Sequence, residues 1–195
     1  MMESQNVDRI KLKLMGISDV VGIDDISLLS LVDEAEERQL IVSCDKMMGR
    51  QIQLRMMDKP GLEHLYPEVM TKMLLAQSSQ QMEVMIYDLR EGTYRTEVID
   101  TLTGKKYPIR CSDGIFFSLL MDCPLFASRS VMLKQAANYH PGSAKVALPI
   151  NVISDKMLRF SLDKAIEMED YEMASNLRDE LKKRHPDKNK KSSNP

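Results

Sequence analysis

The chain has 195 residues, 43% of them hydrophobic and 29% charged, which is enough apolar surface for a core and an ordinary charge content for a water-soluble domain. A formal net charge of −2 excludes a global attraction to nucleic acid or to acidic membranes, so any such binding needs a local patch. Three cysteines (Cys44, Cys111, Cys123) without CxxC spacing exclude a disulfide framework and a zinc ribbon, and the polar start MMESQNVDR shows no signal pattern, so a cytoplasmic protein is expected. The apolar run Ile115 to Met121, broken by Ser118, is far too short to span a bilayer, and no membrane contact is expected. The methionine pairs Met47/Met48, Met56/Met57 and Met70/Met73 fall on predicted helices, where they read as an adaptable core or a subunit seam.

Arg9 to Met15 (RIKLKLM) alternates apolar and basic residues, which predicts a half-buried strand with Ile10, Leu12 and Leu14 inward and Lys11 and Lys13 in solvent. Ile26–Asp33 and Gln39–Cys44 read as two more strands around an acidic turn. A helix is predicted from Lys46 to Met57, stopped by Lys59-Pro60-Gly61. Pro67 suits the first turn of a second helix reaching Gln77, with Val69, Met70, Met73 and Leu74 as its apolar stripe.

The stretch from Met85 to Asp122 organises the rest. Two strand-turn-strand units turn at Gly92 and Gly104, and a helix opens at Ser112-Asp113. A short strand near Leu125–Ser128 follows. From Ala136 to Ile153 the pattern is irregular, broken by His140-Pro141-Gly142 and Pro149. Beyond it Ser154-Asp155 supplies an N-cap, Leu158, Leu162, Ala165 and Ile166 form one stripe, and Met173, Ala174, Leu177 and Leu181 form another. The expected organisation is a domain over 1–135, a linker over 136–153, a helical hairpin over 154–185 and a basic disordered tail over 186–195.

Most polar residues with chemical potential lie in that central stretch. Ser112 at a helix start reads as an N-cap and Asp113 as a partner of the helix dipole. The same N-terminus also suits a phosphate, with Arg110 adding a bidentate charge. Glu97 and Asp100 are an odd number of residues apart on one strand and point to opposite faces, so they do not share a metal. Asp88 shares a face with Val84 and Ile86 at a strand end and needs a partner, Arg90 or Arg110. His64, His140 and His185 are far apart, with no metal-ligand spacing, and read as exposed.

Residues from about Arg9 to Lys134 resemble the bacterial bifunctional nuclease (DNase and RNase) domain. The likeness rests on RIKLKLMGI, on IYDLREGTYRTEV with its Asp-Leu-Arg-x-Gly-Thr motif at Asp88–Thr93, and on IRCSDGIFFSLLMDCPLF with Arg-x-Ser-Asp at Arg110–Asp113. It implies a compact α+β domain, a mixed or antiparallel sheet with about three helices, often as a dimer. By that resemblance Asp88, Arg90, Arg110, Ser112 and Asp113 are candidate catalytic residues, with Arg110 and Ser112 on the substrate. Asp88, Asp113 and Glu68 are candidate ligands of Mg²⁺ or Mn²⁺. Cys111 stands where the family usually has proline, Gly114 where it has alanine and Pro108 where an aspartate is common. Tyr66–Glu68 keeps only the acid of a Thr-His-Asp helix start. These departures keep a second expectation open, a non-catalytic adaptor binding nucleic acid or protein. Leu162–Lys183 (LDKAIEMEDYEMASNLRDELKK) is similar to the UVR motif, a helical hairpin of excision-repair proteins, which implies a protein partner docking on Ser154–Arg184.

Overall fold

The computed structural model describes residues 8–20, 23–77, 81–142, 153 and 155–185. The chain divides into two units. One holds a mixed sheet and four helices. The other holds a helix pair, with the hairpin turn Glu91–Thr93 grouped alongside it.

In the first unit, β1 (Arg9–Val20), β2 (Ile23–Asp33) and β3 (Arg38–Asp45) form an antiparallel meander. β4 (Met82–Arg90), β5 (Thr93–Asp100) and β6 (Lys106–Arg110) follow, then the short strands β7 (Leu125–Ser128) and β8 (Ala137–Asn138). The order across the sheet is β6-β5-β4-β7-β1-β2-β3-β8, and β7 runs antiparallel to β1 but parallel to β4. β1 shows the alternation its sequence predicts, with Leu12 buried between exposed Lys11 and Lys13. It continues beyond Met15 to Val20, past a register shift between Leu14 and Gly16 that ends the readable alternation. Gly92 and Gly104 hold positive φ at the two expected turns.

The helices are α1 (Lys46–Met56), α2 (Tyr66–Gln77), α3 (Cys111–Met121) and α4 (Arg129–Gln135). α1 and α3 pack on each other, with α1 on β2 and β3 and α3 on β3, β4 and β6. Leu29, Leu31, Leu40, Ile52, Ile86 and Ile115 are buried in this core, each contributing about 1.5–3 kcal/mol by leaving water. Two glycines set how closely the helices approach the sheet. A Cβ on Gly49 would lie 2.6 Å from Ser27, and one on Gly114 would lie 3.1 Å from Val84 and Thr96. The missing side chains let both helix backbones sit against the strands.

Several elements differ from the sequence reading. α3 begins at Cys111 with Arg110 in the N-cap position, so Ser112 is not the cap; it is buried in the first turn. On α2, Val69 and Met73 are exposed, while Pro67, Glu68, Met70, Thr71 and Leu74 are half-buried. The inward face of α2 is rotated because Glu68 turns in to an ion pair with Arg55 of α1. α4 is a helix that periodicity alone does not announce in seven residues; Ser128 caps it by accepting from the Val131 N–H. Ala137–Asn138, inside the irregular stretch, pairs with Arg38 and Gln39 of β3.

In the second unit, α5 (Asp155–Glu167) and α6 (Tyr171–Arg184) pack against each other through Leu158, Ala165, Ala174 and Leu177. Ile166 and Met173, assigned to the apolar stripes by spacing, lie exposed at the bend, because Glu169 takes a left-handed backbone and Asp170 restarts the helix by capping the Met173 N–H. Buried Arg184 closes the open end. Its Nη1 donates to the Ile153 carbonyl at 2.6 Å and to Asp155 at 3.1 Å, and its Nε donates to Glu180 at 2.9 Å. His185 meets the other oxygen of Asp155. Burial pulls the Asp155 carboxyl upward, but the His185 and Arg184 hydrogen bonds outweigh it and hold it below the ordinary range. The expected Ser154 cap and the tail over 186–195 lie outside the described residues.

Candidate functional site

Two helices of the first unit begin side by side. β3 ends at Asp45, whose Oδ1 accepts the Met48 N–H at 2.8 Å and so caps α1. β6 ends at Arg110, which occupies the N-cap position of α3 in extended backbone without making a side-chain cap. The Arg110 guanidinium lies between the two starts. Its Nε and Nη2 donate to Asp113 at 2.6 and 2.9 Å, a bidentate fork, and its Nη1 lies 3.8 Å from the Asp45 carboxylate. Asp113 raises the guanidinium pKa further, so Arg110 is a fixed cation, and 69% of its side chain faces solvent.

The chemistry of this corner is set by two helix amino termini, one arginine and two aspartates. Helix starts present free N–H groups and partial positive charge, which favours an anion. The thiols behind them are inert. Burial pushes Cys44 up to about 11 and Cys111 up to about 12, so neither is a thiolate nucleophile near neutral pH.

The predicted site residues fall into two groups. Arg110 and Asp113 meet directly, with Ser112 buried beneath them in the first turn of α3. Asp88 and Arg90 form a pair of their own on the rim of β4, where Asp88 accepts from Arg90 Nε at 2.7 Å and from the Leu89 N–H at 2.9 Å. Asp88 is less enclosed than its shared face with Val84 and Ile86 suggests, because it sits at the strand end with about 40% of its side chain in water. The Arg90 hydrogen bond, then the Leu89 N–H, holds its carboxyl below the ordinary range. The groups that perturb Asp88 are Arg90, Leu89 and Lys134; those around Arg110 are Asp113, Asp45 and Cys44.

Glu68 lies elsewhere again, half-buried with its carboxylate oxygens enclosed and paired with Arg55, whose guanidinium stacks 4.7 Å from the Phe116 ring centroid. Glu97 is held by Lys106 at 2.7 Å, and Asp100 accepts from Leu102 and Thr103 to fix the β5–β6 turn. His64 and His140 are exposed. Among the described residues no group of three or more His, Cys, Asp or Glu side chains is placed to hold a metal. Asp45 and Asp113 both face Arg110.

Asp45 was not a sequence candidate. An aspartate immediately before a predicted helix is a readable N-cap signal, but its approach to Arg110 depends on pairing between distant strands.

A family model described as the bifunctional nuclease domain matches residues 29–140, more than half of the chain. The chain belongs to the bifunctional nuclease domain family. A search among curated proteins finds no match. The family domain takes in β2 from Leu29 onward, β3 to β8 and α1 to α4, and with them Asp45, Asp88, Arg90, Arg110, Ser112 and Asp113. β1 and the helix pair lie outside the matched residues.

Proposed function

We propose that the bifunctional nuclease domain hydrolyses phosphodiester bonds of DNA or RNA at the corner formed by Asp45, Arg110 and Asp113. The observation that carries the reading is the convergence of two helix amino termini on one solvent-facing arginine forked to a carboxylate. An incoming phosphate competes for the Arg110 fork, takes its two parallel donors and frees Asp113. The released carboxylate then holds a water against the phosphorus. The water attacks, its proton passes to Asp113, and the P–O bond to the leaving sugar breaks, the departing alkoxide taking a proton from solvent. Asp45 and Asp113 are the residues that would hold Mg²⁺ or Mn²⁺, a hard cation satisfied by one or two carboxylates plus water, and it would supply charge neutralisation and a more acidic water. Arg90, oriented by Asp88, is a further contact for the nucleic-acid backbone, with no part in bond cleavage. The helix pair serves as a docking module for a protein partner, with Ile166, Met168, Tyr171 and Met173 exposed together around its bend.

A second reading, a nucleic-acid-binding adaptor without cleavage, is favoured by one observation. Asp113 and Glu68 already face arginines, so acid residues that a nuclease would use are tied down in the free protein. Purified protein incubated with plasmid or single-stranded RNA, with Mg²⁺ or Mn²⁺ and then with EDTA, separates the two. Arg110→Ala losing both binding and cleavage supports the nuclease. Binding without cleavage in the parent protein supports the adaptor.

A further inference from the structure

Arg90, Arg95 and Arg110 stand at the same end of three neighbouring strands. β4 ends at Arg90, β5 begins at Thr93, and β6 runs antiparallel to β5 and ends at Arg110. In the β5–β6 ladder Arg95 is the direct partner of Arg110. Directly opposed residues leave the sheet on the same face with Cβ atoms about 5 Å apart, and like charges so placed destabilise a ladder. An anion lying between the two guanidinium groups removes that cost. All three arginines are exposed, but carboxylates reach only two of them. Arg90 is paired with Asp88, and Arg110 with Asp113 and, at longer range, Asp45. Arg95 has no side-chain hydrogen bond or ion pair among the described residues. Glu97, two residues further along β5 and so on the same face, is held by Lys106 at 2.7 Å.

On the reading of the corner as a phosphodiester site, we infer that Arg95 holds the phosphate adjoining the one on Arg110. The substrate class that follows is a nucleic-acid strand of trinucleotide length or longer, crossing from β6 over β5 towards β4. A dinucleotide has a single phosphodiester and leaves Arg95 unused. Neighbouring strands lie about 4.8 Å apart, so Arg90 stands one strand further on, in line with the same backbone. A guanidinium meets a phosphate with two parallel donors, and contacts of this kind fix register without reading bases. Arg95 is therefore a binding residue that sets affinity and minimum length, and it does not touch the reacting atoms.

Competition of unlabelled oligothymidylates without terminal phosphates against a labelled octamer, with the full chain in EDTA over a range of NaCl concentrations, tests it. The parent should bind the trinucleotide more tightly than the dinucleotide. Arg95→Gln should abolish that step, weaken octamer binding by about three- to tenfold, and reduce the slope of log affinity against log salt by about 0.7. Arg95→Lys should keep the slope. Lys59→Gln, which removes an exposed cation beyond α1, should change neither quantity. Octamer binding and slope unchanged in Arg95→Gln, while Arg110→Ala loses binding, overturn the inference and leave the corner standing. An equal loss in Lys59→Gln overturns it as an effect of overall charge. Binding undiminished in Arg110→Ala removes the corner itself, and this inference with it.

Discussion

Arg55 of α1 and Glu68 of α2 form a buried ion pair beneath the ring of Phe116, and this pair ties α2 to its neighbours. The rest of Arg55 is turned inward too, with Nη1 donating to the Gln51 carbonyl at 2.8 Å and to its side-chain oxygen at 2.7 Å. Arg55 Nε and the second oxygen of Glu68 have no hydrogen-bond partner. Removing one member therefore costs more than keeping both contributes. Arg55→Met should lower unfolding free energy by about 3–5 kcal/mol, because it strands the Glu68 charge. Arg55→Met combined with Glu68→Met should recover most of that loss in urea denaturation.

The close seat of α1 gives a second prediction with a sign opposite to helix propensity. Alanine in place of a mid-helix glycine ordinarily stabilises by about 1 kcal/mol. At Gly49 the new Cβ meets Ser27 at 2.6 Å, where both its Cβ and Oγ are buried. Overpacking of this kind costs about 1–3 kcal/mol, so Gly49→Ala should lower the melting temperature.

The buried thiols predict how stability responds to alkali. From an ordinary value of 9.0, burial pushes Cys44 and Cys123 up to about 11 and Cys111 up to about 12. Their folded values lie above the unfolded one, so the contribution is fully present below pH 9.0 and is lost as pH rises towards about 11 to 12. Tyr94, raised by its own burial, acts in the same direction. Thermal unfolding followed from pH 8 to pH 11 should show a falling midpoint above about pH 9. Labelling of the buried Cys44 and Cys111 at pH 8 should proceed only as the protein unfolds.

Local chemistry made much of this fold readable. The alternation of Arg9–Met15, the breakers Lys59-Pro60-Gly61 and the glycines at 92 and 104 each fix a conformation within a few residues, and the structure has strands, a stop and turns there. What failed depends on contacts distant in sequence. Ser112 looks like a cap because it is a serine before an apolar helix, yet the helix starts one residue earlier and buries it. The α2 stripe was misplaced because spacing counts apolar residues and is blind to a charged residue held inside by Arg55. Arg110 and Asp113 are three apart on one turn, so their meeting was legible. Asp45 was not, since only the fold brings the end of β3 to the end of β6.

The latch of the helix pair yields another prediction. Arg184 is buried and holds Ile153, Asp155 and Glu180 at once. Arg184→Met should leave the first turn of α5 unanchored, increasing amide exchange there while exchange in β2 and β3 is unchanged.

The most direct test of the proposed site is single-turnover cleavage of a fluorescently labelled oligonucleotide by the Asp113→Asn protein beside the parent. Asparagine preserves shape and can keep one of the two hydrogen bonds from Arg110, but it cannot take the proton of an attacking water. Binding should stay within about tenfold of the parent while the cleavage rate falls by about 10² to 10⁴. An Asp113→Asn protein that cleaves at the parent rate would contradict the assignment.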